Sequence, residues 1–138
     1  MSFQKIDVEN TERPDGKASV LVYGYQDTEH EAIEALLAQF SEVEAIYIEK
    51  DMLGLTLEQI IEGTPERIEF KLPMNPKVVV MNSLSEDEIH RMIEGFKKLS
   101  TSKPIFAMVT ETSRKWKFGN LVKELIEEHM MMSKHHKK

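Results

Sequence analysis

Apolar residues in this chain follow two rhythms. Four short stretches, "KASVLVYGY", "EAIYIE", "KVVVMN" and "PIFAMVT", carry continuous, largely β-branched apolar runs. All four predict strands, and the continuous runs of "KASVLVYGY" and "KVVVMN" read as buried ones. Between them the apolar positions return every three or four residues, which is the helical period. Ile33, Leu36, Leu37 and Phe40 form one such stripe, and Ile89, Met92, Ile93, Phe96 and Leu99 another.

Punctuation residues set the helix boundaries. Either Asp27 or Thr28 is placed to cap the first helix. "TLEQIIEG" predicts a short helix opened by a Thr56–Gln59 capping box and closed by Gly63. Ser85 and Glu88 form a second capping box ahead of "DEIHRMIEGFKKL", and "KFGNLVKELIEEHMMM" predicts the last helix. Arg67 to Leu72 alternates between prolines, and this predicts an extra edge strand near 67–72.

Strand and helix alternate twice in the same order. "VLVYGY…AIEALLAQF…AIYIE…TLEQIIE" answers "VVVMNS…EIHRMIEGF…IFAMVT…KFGNLVKELIE", and Ile33, Leu36, Leu37 and Phe40 answer Ile89, Met92, Ile93 and Phe96. The reading is an α/β fold in a single domain, with a mainly parallel sheet built from a duplicated βαβα unit. Copy one spans 18–63, a connector 64–76 and copy two 77–132. Residues 1–17 read as a flexible or edge arm, and 133–138 as a disordered tail.

Composition narrows the function classes. Cysteine is absent from the 138 residues, which excludes a disulfide framework, a thiolate metal site and a cysteine nucleophile. No apolar run reaches bilayer length and the first residues lack a leader's apolar core, so the expected location is the cytoplasm. Net charge is −6, unevenly spread: Asp27 to Glu69 holds twelve acids against Lys50 and Arg67, whereas Lys97 to Lys123 holds seven bases against Glu111. Such asymmetry marks an interaction surface and favours a protein partner or self-association. Nucleic acid is disfavoured, because an acidic chain is repelled by phosphates at long range.

Ligands of open parallel sheets sit beyond the carboxyl ends of the strands. That rule selects Tyr23-Gly24-Tyr25, Glu49-Lys50-Asp51, Asn82-Ser83 and the loop from Thr110 to Trp116. The loop can be read as an anion site, with the hydroxyls of Thr110, Thr112 and Ser113 and the backbone N–H groups holding the ligand, Arg114 as a fork and Trp116 counted among the binding residues. Tyr23, Tyr25, Asn82 and Ser83 would then line the same crevice. Against this, no glycine lies between Thr110 and Trp116, and phosphate cradles depend on glycine for close backbone approach. The favoured reading of the loop is a hinge between strand and helix, with Trp116 as a hydrophobic staple against a residue one turn into the helix. Glu49 and Asp51 are a weak carboxylate pair in an acid-rich region, and no metal or cofactor is expected. His30 and His90 read as surface residues, and no spacing identifies a catalytic group.

The stretch "KVVVMNSLSEDEIHRMIEGF" followed by "KPIFAMVTETSRKWKFGNLVKELIEEH" resembles a family of small bacterial proteins known only as a domain of unknown function. The likeness covers about residues 78–128 and rests on Thr110, Trp116, Leu121, Leu125, Glu127 and Glu128. It implies a small bacterial cytosolic α/β domain and carries no activity. The functional expectation is a non-enzymatic binding or regulatory module. The alternative is a small-molecule or anion (phosphate or nucleotide) binding protein or enzyme.

Overall fold

A computed structural model describes residues 12–99 and 103–136. The chain forms β1 (Ser19–Tyr23), α1 (Asp27–Leu37), β2 (Glu44–Ile48), a 3₁₀ turn (Lys50–Met52) and α2 (Leu57–Glu62). It continues with β3 (Val78–Asn82), α3 (Glu86–Leu99), β4 (Ile105–Met108), a second 3₁₀ turn (Ser113–Lys115) and α4 (Phe118–His136). The four strands form one sheet in the order β2-β1-β3-β4.

Side-chain alternation within the strands supplies two cores. Val20, Val22, Val79 and Met81 face Ile33, Leu36 and Leu37 of α1 and Met92 and Phe96 of α3. Leu21, Tyr23, Val78 and Val80 face Leu57 and Ile60 of α2 and Phe118, Leu121, Val122 and Ile126 of α4. Helices therefore cover both sides, and so the central strands read as unbroken apolar runs. The caps at Thr56 and Ser85 form as the sequence indicates: Gln59 N–H donates to Thr56 Oγ1 at 3.1 Å, and Glu88 N–H to Ser85 Oγ at 3.2 Å. The first helix starts earlier than expected. Its N-cap is Gln26, whose N–H donates to Glu29 Oε1 at 2.9 Å.

The sheet is mostly parallel, as expected, with one antiparallel seam. β1 runs parallel to β2, and β3 parallel to β4, but β1 and β3 pair antiparallel with Leu21 opposite Val80. The connector causes the reversal. α2 already lies at the end of the sheet where β3 finishes, because Glu58, Ile61 and Glu62 share a cleft with Asn82 and Ser83. Residues 64–77 then cross the whole sheet before β3 begins beside Tyr23.

The expected edge strand near 67–72 is not a strand. Its alternation arises differently. Ile68 N–H donates to the Asp51 carbonyl at 2.7 Å and its own carbonyl accepts from Gly54 N–H at 2.7 Å. The side chain of Ile68 fills the space where Gly54 lacks a Cβ, Phe70 does the same at Gly119, and Phe70 and Leu72 pack on the core beneath. Phe70 and Leu72 point inward and Ile68, 42% exposed, lies over Gly54, so the segment looks like a strand without having a ladder partner.

Candidate functional site at the carboxyl ends of β3 and β4

Because the two halves run in opposite directions, the residues selected from the sequence separate into two groups. Tyr23 and Tyr25 lie at one end of the sheet. Asn82, Ser83, Thr110, Thr112, Ser113, Arg114 and Trp116 lie at the other.

At the second end a cleft of about 520 Å³ opens between the segment preceding β1, α2 and the loop after β4. Asn82, Ser83, Thr110 and Arg114 line it together with Asp15, Lys17, Glu58, Glu62 and Glu111, whereas Thr112, Ser113 and Trp116 stand outside its lining. Asn82 Nδ2 donates to the Lys17 carbonyl at 2.8 Å, and Ser83 Oγ to the Asp15 carbonyl at 3.0 Å. Ser83 adopts φ of 57° to do so, a left-handed conformation uncommon for a non-glycine residue. These two bonds fasten residues 15–17 across the end of β3.

The loop hydroxyls serve each other. Thr110 N–H donates to Ser113 Oγ at 2.9 Å, and Ser113 N–H donates to Thr110 Oγ1 at 3.0 Å. This reciprocal pair closes the 3₁₀ turn, and Ser113 is buried within it. Arg114 Nη2 lies 3.3 Å from Glu58 Oε1, and Lys17 Nζ 2.7 Å from Glu44 Oε1. Both bases of the cleft are thus paired, while Asp15, Glu58, Glu62 and Glu111 make its wall predominantly acidic. The arrangement favours a neutral or cationic surface over a free anion. Trp116, 39% exposed, uses its backbone to join the helices: its carbonyl accepts from Leu57 N–H at 3.0 Å.

Sequence reasoning missed the group that anchors the cleft's outer wall. Arg13 reaches Glu88 with Nε at 2.9 Å and Nη2 at 2.7 Å, and Nη2 also donates to the Ser41 carbonyl. The Glu88 carboxyl is held below the usual glutamate range, first by the Arg13 hydrogen bonds and then by the Ser85 backbone N–H. The Ser85–Glu88 box was visible in the sequence. Its distant cation was not, because no local pattern links residues so far apart.

At the opposite end, Tyr23 donates from its hydroxyl to Asn75 Oδ1, and its ring meets Phe118 edge-on at 6.0 Å. Tyr25 packs edge-on against Phe96, with Lys77 Nζ 4.8 Å above its ring. Its buried hydroxyl has no hydrogen-bond partner among the described residues, and burial, aided by Glu29, raises its pKa well above the ordinary range. Lys77 pairs with Glu29 at 2.8 Å and lowers that carboxyl. Asp51 of the Glu49–Asp51 pair faces Arg67 at 3.7 Å. His30 stacks on Tyr47 with ring centroids 3.8 Å apart, so it is half-buried where a surface position was expected. Among the described residues no cluster of three or more His, Asp or Glu side chains could hold a metal ion, and no helix is long and apolar enough to cross a membrane.

Residues 77–132 match the family model of a domain of unknown function (DUF3783). The matched segment runs from the start of β3 into α4 and includes the Thr110–Trp116 loop. No curated protein and no solved structure matches the chain.

Proposed function

We propose that this chain is a cytoplasmic, non-enzymatic binding or regulatory module that acts through protein–protein contacts, built from a βαβα unit present twice. The repeat is supported by correspondences counted from the facing pair Leu21 and Val80. Gly24 answers Ser83, and both have positive φ. Gln26 answers Ser85 as helix cap, and Glu29 answers Glu88 as the carboxylate that closes each box. Each carboxylate also receives a cation from the segment that leads into the other half's first strand, Lys77 on Glu29 and Arg13 on Glu88. In this register Ile33 corresponds to Met92 and Leu37 to Phe96, three positions later than the apolar stripes alone suggest.

One observation carries the functional reading: the cleft groups that could hold an anion are already engaged, the Thr110 hydroxyl with Ser113 just outside the lining and Arg114 with Glu58. A phosphate arriving there would have to displace Glu58 and face the remaining acids. The alternative is a small-molecule or anion site using Thr110, Thr112, Ser113, Arg114, Trp116, Asn82 and Ser83. It is favoured by the position of the cleft at strand carboxyl ends. Tyr23 and Tyr25 would belong to a second such site.

Titration of inorganic phosphate and adenine nucleotides, read by Trp116 emission and melting temperature, tests this. A ligand that binds only the folded state must raise the melting temperature. No shift in either signal is the expected outcome. A rise that disappears in Arg114→Ala would replace this reading with the alternative.

A further inference from the structure

We propose that the free edge of β4 pairs antiparallel with the same strand of a second copy of this chain, about a two-fold axis at Ala107. The proposal rests on the protein-contact reading above and names its partner.

The two edges of the sheet are finished differently. At the β2 edge Glu44 is paired with Lys17, and Tyr47 is covered by His30 and hydrogen-bonded to Glu34. Charges and covering side chains of this kind discourage strand addition. Among the described residues the β4 edge has neither. From Pro104 to Thr110 the chain carries no charge, and Met108 is 51% exposed. An apolar edge strand with unpaired backbone groups is a template for another strand.

Backbone bonding fixes which groups are available. Ile105 N–H donates to the Lys77 carbonyl and Val109 N–H to the Met81 carbonyl. In a parallel ladder alternate residues turn to the same neighbour, so Ile105, Ala107 and Val109 face β3, while Phe106 and Met108 point their N–H and C=O outward. Thr110 N–H is already used by Ser113 Oγ, and Pro104 has no N–H to give. One antiparallel register uses all four outward groups: Phe106 opposite the partner's Met108, and Met108 opposite the partner's Phe106. The Ala107 residues then meet as the close, non-hydrogen-bonded pair, where a small side chain fits.

The same register sets Lys103 against Glu111 of the partner at both ends. Both residues are exposed, and neither has an ionic partner among the described residues. Charge complementarity therefore selects a second copy and this alignment together. Phe106 beside the partner's Met108 adds a sulfur–aromatic contact. Among the described residues, the resulting eight-stranded sheet leaves only the two guarded β2 edges outward, so assembly stops at the dimer.

Sedimentation velocity across protein concentration, together with cross-linking, tests this. The wild-type chain is expected to dimerise. Lys103→Glu or Glu111→Lys alone is expected to weaken the dimer roughly tenfold, with the double reversal restoring it. Met108→Lys should abolish the dimer while leaving melting of the monomer unchanged. Ala107→Cys, in a chain without other cysteines, should form a covalent dimer on mild oxidation, because Cα atoms in such a pair lie about 4.5 Å apart. Glu111→Cys should not, since its partner across the axis is Lys103. A chain that stays monomeric at all concentrations overturns this inference, as does a dimer indifferent to Met108→Lys and to charge reversal. Neither result touches the protein-contact reading, which the phosphate and nucleotide titration decides.

Discussion

Arg13 and Glu88 meet through two hydrogen bonds, at 2.9 and 2.7 Å, across 75 positions of sequence. The carboxylate belongs to the capping box of α3, so one side chain closes a helix and anchors the segment before β1 at once. Glu88 is only 8% exposed, which makes the loss of its partner costly.

Arg13→Ala should therefore destabilise the fold by about 1.5–3 kcal/mol, the range for hydrogen bonds to charged groups. Urea denaturation would measure it. Adding Glu88→Gln should cost less in the Arg13→Ala background than in the wild type, because the two residues share one interaction.

The Glu29 and Glu88 carboxyls both titrate below their ordinary value in the folded chain, Glu29 chiefly through Lys77 and Glu88 chiefly through Arg13. The unfolded chain takes up these protons first as pH falls. The stability they contribute is present above the unfolded value of about 4.3 and is lost as pH drops through the folded values. Melting temperature should fall steadily with acidification below about pH 5. Glu88→Gln should flatten part of that slope.

Ser113 and Arg114 sit side by side in the loop after β4 and should respond differently. Ser113→Ala removes a buried hydroxyl that satisfies Thr110 N–H, with an expected cost of about 1–2 kcal/mol. Arg114→Ala removes an exposed ion pair with Glu58 and should cost at most about 1 kcal/mol. Thermal melts of the two variants would rank them.

Gly24 follows β1 at φ of 88°, and a Cβ there would run into the Pro76 carbonyl. Gly24→Ala is expected to cost more than about 1 kcal/mol, combining backbone strain with displacement of the connector. An unchanged denaturation midpoint would show that the turn relaxes freely.

Much of this fold was legible in the sequence, since strands, helices and two of the caps follow from local pattern. Thr56 and Ser85 cap the helices they precede because side-chain and backbone partners lie within three residues. The mainly parallel sheet was legible too, but its one antiparallel seam, between β1 and β3, was not. The seam depends on residues 64–77 crossing the sheet, and that path is set by Ile68 and Phe70 seating at Gly54 and Gly119, contacts between segments far apart in sequence. The site suffered from the same gap. Thr110, Arg114, Asn82 and Ser83 do gather at one cleft, but Tyr23 and Tyr25 went to the far end once β1 and β3 ran antiparallel. Residues 15–17, which wall the cleft, carried no signal beyond a Pro-Asp-Gly turn.

The exchange of cations between the halves, Arg13 to Glu88 and Lys77 to Glu29, also governs how the chain comes apart. Each half's leading segment shields the start of a helix in the other, and β1 and β3 share the central ladder. Fraying at either end of the sheet uncovers groups belonging to both halves. Amide protons in β1 and β3 are therefore bound to exchange through one common opening, and the matched segment 77–132, cut from the rest, forfeits the partner strand on which its own protection depends.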